Sequence, residues 1–432
     1  MGDTASRPGP EAGASATGRG LVRRRRRRWT RGAAAVLAVG VAGAVGAGWA
    51  VYAKLSGNIT ADQAAAAELA RFEKERPTAL VKDARNILLI GSDSRSGKDN
   101  RRYGRDSGTE RSDTTILLHL SAGRRSATAV SIPRDLMVDV PGCRRPDGSR
   151  SEPAFAMFNH AFQVGGSACT IRTVEKLTGI RVDHHVVVDF RGFKKMVDAV
   201  DGVEVCLKEP VDDPAAHLKL PAGRVTLDGE QALGYVRARK SLGNGSDTAR
   251  MERQQRFLGA LVTKVRGNDV LLNPVKLYPV LDAATSSLTT DPGLASLRGL
   301  YALVRGLREI PTEQVQFLTV PRESYIYDAN RDQLVEPEAE KLFERLRADL
   351  PVVVARNTAG GSAVQSRESG DAYEGSYGDS PPDSSTEMDG TGTDGDGKAD
   401  GKAGGERPGE PASAVSPAPT FRGNTAAQGG CG

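Results

Sequence analysis

Apolar and polar positions divide the chain into three regions. The first holds one long apolar block; a middle region alternates short apolar runs with amphipathic stretches; the last is polar with almost no large apolar side chains. The block, Ala33–Ala53, carries no charge and at about 20 residues is long enough to cross a bilayer as a helix. In the middle region, Asn86–Gly91, Thr114–Leu120 and Ala127–Ile132 are short runs rich in β-formers. They predict buried strands, the last two joined by the turn Ser121-Ala122-Gly123. Further strands are expected at His185–Phe190, Val203–Leu207 and Val315–Val320. Helical spacing predicts helices around Cys169–Thr178, Gly192–Val200 and Gly229–Ala238, and over 250–266, 292–307 and Pro337–Leu346. Strands alternating with helices imply an α/β fold with a layered mixed sheet flanked by helices, spanning 83–350.

The flanks read differently. Residues 1–32 are mostly Gly, Ala, Ser and Arg without an apolar period, which predicts a disordered arm. Residues 54–82, with an Ala/Glu-rich helix from Asp62 to Glu75, read as a stalk that lifts the folded region off a membrane. From Arg356 to Gly432 the composition predicts a disordered, acidic, low-complexity tail. Its stretch Asp389–Asp400 is superficially like a calcium loop, but the bidentate Glu at the twelfth position is missing, so it reads as a spacer.

Charge sharpens the membrane reading. The arm holds nine Arg against Asp3 and Glu11, a balance of +7, so with a net charge of +5 the other 400 residues carry about −2. Positive charge packed against the apolar block holds that flank in the cytoplasm, and Trp49 and Tyr52 suit the opposite interface. The expectation is a single-pass protein of the cell membrane, N-terminus cytoplasmic, folded region extracytoplasmic. The long polar arm and long apolar block argue against a cleaved signal peptide. The same distribution argues against nucleic acid as a partner. Of four cysteines, Cys143 and Cys169 flank a polar loop in the exported region and are expected to form a disulfide. Cys206 reads as a core residue and Cys431 carries no signal.

Phosphate-loop, HExxH and GxSxG patterns are absent, and the five scattered histidines read as structural. What stands out is Asp and Arg at strand ends. Asp93 follows the first strand, Arg111 and Asp113 precede the second, and Arg134 and Asp135 follow the third. Sites in layered α/β sheets gather beyond strand ends. Two carboxylates without a His or Cys partner suit a hard divalent ion, and guanidinium forks match phosphate. Arg237 and Arg239 would share a face if extended, and Arg250 and Arg253 share one on a helix. Together they outline a pocket for a metal-bound phosphoryl group, although each Arg alone could be a solvated surface charge.

The chain resembles the LytR-CpsA-Psr family of cell-envelope glycopolymer transferases, and its Gly-, Ala- and Arg-rich composition suits the actinobacterial type. The matching pieces, in the family's order, are NILLIGSDSR (86–95), RSDTTILLHL (111–120), SIPRD (131–135), FNHAF (158–162) and GG (165–166). They continue with TVEKLTGIRVDHHVVVDFRGF (173–193), VDAVDGVEV (197–205), LDGEQALGYVRARKS (227–241) and DTARMERQQRFL (247–258). The resemblance implies phosphotransfer of a glycopolymer from a polyprenyl-pyrophosphate carrier in the membrane to peptidoglycan, with pyrophosphatase activity as a side reaction. It implies Mg²⁺, or Mn²⁺ in its place, held by Asp93 and Asp113. By the same resemblance, pyrophosphate is bound by Arg111, Arg134, Arg237, Arg239, Arg253 and Gln254. Asp93, Asp113 and Arg134 are the implied catalytic group, with Asp113 the choice for general base. The family holds the lipid in an apolar channel whose residues nothing in this sequence marks. The insertion Gly97–Glu110 is expected as a flap, and the loop Ser241–Ser246 looks extended. Of the two rival readings, an envelope or transcriptional regulator is opposed by the topology, the neutral-to-acidic exported region and the lack of a DNA-reading motif. The other, a non-catalytic binder of lipid-linked glycans, is opposed by the retained acidic and arginine set.

Overall fold

The apolar block lies within one helix, α1 (Gly18–Asn58), which runs past it on both sides. The computed structural model describes residues 2, 18–93, 112–238, 242, 247–267, 274–356 and 420–428. From Gly32 to Asn58 the helix is long and apolar enough to cross a membrane, and its apolar window is not buried against the protein. Val36, Leu37 and Val39 are more than two-thirds exposed. The expectation of a disordered arm fails for Gly18–Gly32, because a helix once nucleated propagates into a segment of good helix formers such as Leu and Arg.

The segment expected as a stalk is part of the fold. Strand β1 (Thr60–Ala61) is followed by α2 (Gln63–Arg71), whose N-cap Asp62 accepts from the Ala65 amide at 2.9 Å. Ala65 and Leu69 of α2 enter the main core. At nine residues the helix is too short to stand alone in water even with its Ala content, so docking its apolar stripe on the core is what stabilises it. Arg76 then ties the chain down with hydrogen bonds to Glu175 (2.8 Å) and the Val182 carbonyl (2.7 Å).

The sheet begins with β2 (Arg85–Ser92), β3 (Ser112–Leu120) and β4 (Ala127–Ile132), an antiparallel meander. A hairpin of β5 (Met137–Val140) and β6 (Ala154–Met157) leads into α3 (Asn159–Thr178). Helix α3 breaks at Gly165 and Gly166, the latter at φ 57°. A Cβ at Gly165 would lie 2.9 Å from both the Arg144 carbonyl and Cys169 Cβ, so the two glycines let the chain pass the Cys143–Cys169 disulfide.

Strand β7 (His184–Val188) pairs parallel to β2, and α4 (Phe190–Ala199) follows. A small layer comes next: β8 (Val203–Leu207), β9 (Val211–Asp213), β10 (Leu218–Leu220), β11 (Gly223–Leu227) and α5 (Gly229–Arg237). In β8, Val203, Val205 and Leu207 point inward, so Cys206, expected in the core, is exposed by the two-residue period of the strand. The chain continues through α6 (Asp247–Arg266), α7 (Pro274–Ser287), β12 (Leu288–Thr290), α8 (Leu297–Arg308) and β13 (Val315–Thr319). A second hairpin, β14 (Arg322–Tyr325) and β15 (Asp328–Leu334), precedes α9 (Glu336–Arg347) and β16 (Val353–Arg356).

The tail, expected to be disordered throughout, returns to the sheet. Strand β17 (Thr420–Thr425) lies between β13 and β16, completing the order β1-β12-β7-β2-β3-β4-β13-β17-β16. Phe421 joins the main core and Ala426 is fully buried. Gly423 is required because a Cβ there would collide with the Phe317 carbonyl. One face of the sheet, including Leu88, Ile90, Leu117 and Leu318, packs on α2, α3 and α9. The other, including Ile87, Ile116 and Phe317, faces α6 and α8. This is the layered mixed α/β fold that the alternation of elements implies.

Candidate active site: a polar cleft over an apolar cavity

The site begins where β2 and β3 meet. Gly91 pairs with Thr114 and Ser92 with Ser112, so Asp113 is the extra residue of a bulge and Asp93 lies just beyond the last pair. Both acidic residues therefore occupy the same end of adjoining strands. Strand β4 ends at the same edge, where Arg134 donates to Asp113 Oδ1 and to Asp135 Oδ2, each at 3.0 Å. Burial alone would disfavour the guanidinium charge. The Asp135 and Asp113 carboxylates outweigh it and raise the Arg134 pKa. Arg134 is thus held as a fixed cation with its carbonyl accepting from Asn159, at the start of α3 (3.0 Å).

Two helices complete the cleft. Helix α5 is started by a capping box between Asp228 and Gln231 and ends at Arg237, whose guanidinium lies 4.6 Å from the Phe190 ring centroid. On α6, Arg250, Gln254, Phe257, Leu258 and Leu261 form one stripe. The stripe faces a cavity of about 550 Å³ between the sheet and α4, α5 and α6. Leu89, Ile116 and Val188 supply its sheet wall; Phe190, Phe193 and Met196 of α4, with Leu233 and Val236 of α5, supply the rest. Asp113, Thr114, Arg250 and Gln254 border both this cavity and the adjoining cleft that contains Ser131 and Arg134. An apolar chamber therefore opens onto a cluster of guanidinium and carboxylate groups. Such a shape takes an amphiphile, its chain in the chamber and its anionic head at the mouth.

The structure divides the residues expected at the site. Asp113, Arg134, Arg237 and Gln254 are brought together, and Asp93 stands at the adjoining strand end. Arg253 is not with them. It is buried, donating from Nε to the Tyr235 carbonyl (2.9 Å), from one terminal nitrogen to the Leu242 carbonyl (2.9 Å) and from the other to the Ala238 carbonyl. A helix end leaves carbonyls unsatisfied, and Arg253 takes up those in the last turn of α5 and just beyond it, on either side of Arg237. Burial pushes its pKa down. Arg111, Arg239, the insertion Gly97–Glu110 and the stretch Asp389–Asp400 lie outside the described residues. Arg250, which shares a helical face with Arg253 in the sequence, is the one of the two that joins the site, and the apolar walls carry no motif in the sequence. The i, i+4, i+7, i+8, i+11 spacing from Arg250 to Leu261 was the available signal.

Cys143 and Cys169 are joined by a disulfide with Cα atoms 5.6 Å apart. The strand histidines hold elements together: His119 between Asn86 (2.8 Å) and Asp349 (3.0 Å), His184 on Asp291 (3.1 Å) and His185 on Asp62 (3.3 Å).

Comparison with known proteins agrees with this architecture. The model of the LytR_cpsA_psr family matches residues 52–348. The chain is 39% identical over 272 residues to the probable cell wall biosynthesis protein LcpB of Corynebacterium glutamicum, which covers 61% of this chain. The match spans 61% of LcpB's own length. It is 28% identical over 330 residues to the polyisoprenyl-teichoic acid–peptidoglycan teichoic acid transferase TagT of Bacillus subtilis, covering 74% of this chain and 95% of TagT. The solved LytR-Csp2A-Psr enzyme from Actinomyces oris shares the fold, with a TM-score of 0.50 at 22% identity over 63% of this chain and 93% of that one.

Proposed function

From the premise that this chain belongs to the LytR-CpsA-Psr family, we propose that it is a membrane-anchored phosphotransferase. It would move a glycopolymer from a polyprenyl-pyrophosphate carrier onto peptidoglycan, with α1 crossing the membrane and the arginine-rich flank in the cytoplasm. The observation that carries the reading is the junction of chamber and cleft. An isoprenoid chain suits the apolar walls, and the diphosphate then falls among Arg134, Arg237 and Arg250. The name of TagT, a transferase acting on polyisoprenyl-linked teichoic acid, supports the same substrate class.

Asp93 and Asp113 would hold Mg²⁺. The two carboxylates stand at adjoining strand ends, and such a pair suits a hard ion whose other positions belong to water and phosphate oxygen. Bound there, Mg²⁺ would neutralise charge on the diphosphate. Arg134 and Arg237 bind the phosphate oxygens as charge shifts toward the leaving phosphate. An acceptor sugar hydroxyl forms a bond to the phosphorus nearest the glycan, the bridging P–O bond breaks, and polyprenyl phosphate leaves. The hydroxyl proton passes to Asp113, which Arg134 orients.

Arg134→Ala is expected to lower transfer by at least about 10²-fold while leaving the fold intact. Purified full-length chain, a short-chain lipid-linked donor and peptidoglycan suffice for the assay. Normal transfer by the variant would overturn the assignment.

A further inference from the structure

The hairpin of β14 and β15 carries aromatic side chains that the core does not use. Tyr327 is 80% exposed, Ile326 72% and Phe155, on the neighbouring β6, 56%. Tyr325 links them: its ring centroid lies 6.1 Å from that of Phe155 and 5.3 Å from that of Tyr327, the latter edge to face. Exposed rings grouped in this way cost solvation and mark a binding surface.

Its base is fastened to the candidate active site. The Asp332 amide donates to the Asp135 carbonyl at 3.1 Å, next to Arg134. Arg322 pairs with Asp332 and donates to Thr248 Oγ1 at 2.6 Å, two residues before Arg250. Ser324 stands opposite Asp332, so the rings begin one residue beyond the point tied to Asp135. At a strand rise of about 3.3 Å per residue, Tyr325 lies within roughly 10 Å of that anchor.

We propose that Phe155, Tyr325 and Tyr327 form the platform on which the acceptor glycan, a neutral strand of N-acetylated hexosamines, lies as its hydroxyl enters the cleft. The proposal rests on the transfer reading above and names its second substrate's subsite. The C–H faces of a pyranose meet the electron-rich faces of aromatic rings, while hydroxyl and acetamido groups need polar neighbours. Glu323 and Gln333, joined at 2.8 Å, and Asn330 stand on the same hairpin. The fixed charges are mixed, Glu323 and Asp328 with Arg331, which suits an uncharged glycan better than an anionic lipid surface. The hairpin also leaves the sheet from β13, six strands from β1 where the membrane helix enters. At about 4.8 Å per strand that is roughly 29 Å from the anchored edge.

The test uses full-length chain in neutral detergent and sacculi stripped of attached polymer. Tyr325→Ala with Tyr327→Ala should weaken co-sedimentation by about tenfold or more, and Tyr325→Phe with Tyr327→Phe should retain it. Arg134→Ala should bind sacculi like the parent, so failure of the transfer chemistry and failure of the platform give different results. Parental binding by the double alanine variant would overturn the platform. A Tyr327→Trp chain in phosphatidylglycerol vesicles with brominated acyl chains should show no quenching beyond the parent's. Added quenching would place the hairpin in the bilayer and overturn the proposal as well.

Discussion

The two faces of the central sheet are built from adjacent residues of the same strands, yet they end differently. On one, Leu88, Ile90 and Leu117 pack solidly against α3 and α9, with Phe158 and Phe343 almost fully buried. On the other, Leu89 and Val188 remain half-buried at the middle of a broad sheet because they face a chamber of about 550 Å³. The first face is closed by side chains of α3 and α9 packed on the strands; on the second, α4 and α5 bring Phe190, Phe193 and Leu233 to the wall of the chamber. Stability is concentrated on one side and capacity on the other. A fold with such a cavity needs both, since a void costs stability that close packing elsewhere must offset.

Mutations can break that contrast. Phe343→Ala, on the solid face, should destabilise by about 3–5 kcal/mol in chemical unfolding, because no neighbour can collapse into the space. Its effect on donor affinity should be small. Val236→Trp, on the open face, should do the reverse. Filling the chamber should cost about 1–3 kcal/mol of stability at most, less than Phe343→Ala, while binding of a polyprenyl diphosphate, followed by calorimetry, falls by at least about tenfold.

The smallest effect concerns a polar link on the solid face. Burial holds the pKa of His119 below its ordinary 6.5, and Asp349, Asp183 and Arg124 are the charged groups that face it. The unfolded chain therefore takes up the proton first as pH falls. The contribution is complete above 6.5 and is lost below it, with a slope of at most about 1.4 kcal/mol per pH unit. Urea midpoints between pH 7 and 5 should fall more steeply for the parent than for His119→Gln; equal slopes would remove His119 from the account.

Much of the sheet could be read from the chain, because β2, β3, β4, β8 and β13 are apolar runs bounded by turn residues or charge. Their expected and observed limits differ by two residues at most. The hairpins β5–β6 and β14–β15 could not, since AFAM and DANRDQL lack the alternation that marks a strand with one buried face. Strand β17 is the sharpest case. Its surroundings are polar and rich in Gly and Pro, and only Phe421, the sole aromatic after Tyr377, marks the segment that completes the sheet. Within the site, charge at strand ends marks Asp93, Asp113 and Arg134 in the sequence. Arg253 is not told apart from its neighbours there, because a guanidinium aimed at carbonyls and one facing a cleft are identical as letters.

What the sequence determined alone is whatever depends on local pattern: a charge-flanked apolar helix, the strand and helix periods, and acidic and basic residues collected where strands end. Only the tertiary structure decided which arginine faces the cleft, that the lower wall of the chamber is half-buried, and that a distant C-terminal strand joins the sheet. Those outcomes depend on contacts between residues far apart in the chain, and periodicity carries no information about which distant partner a side chain will meet.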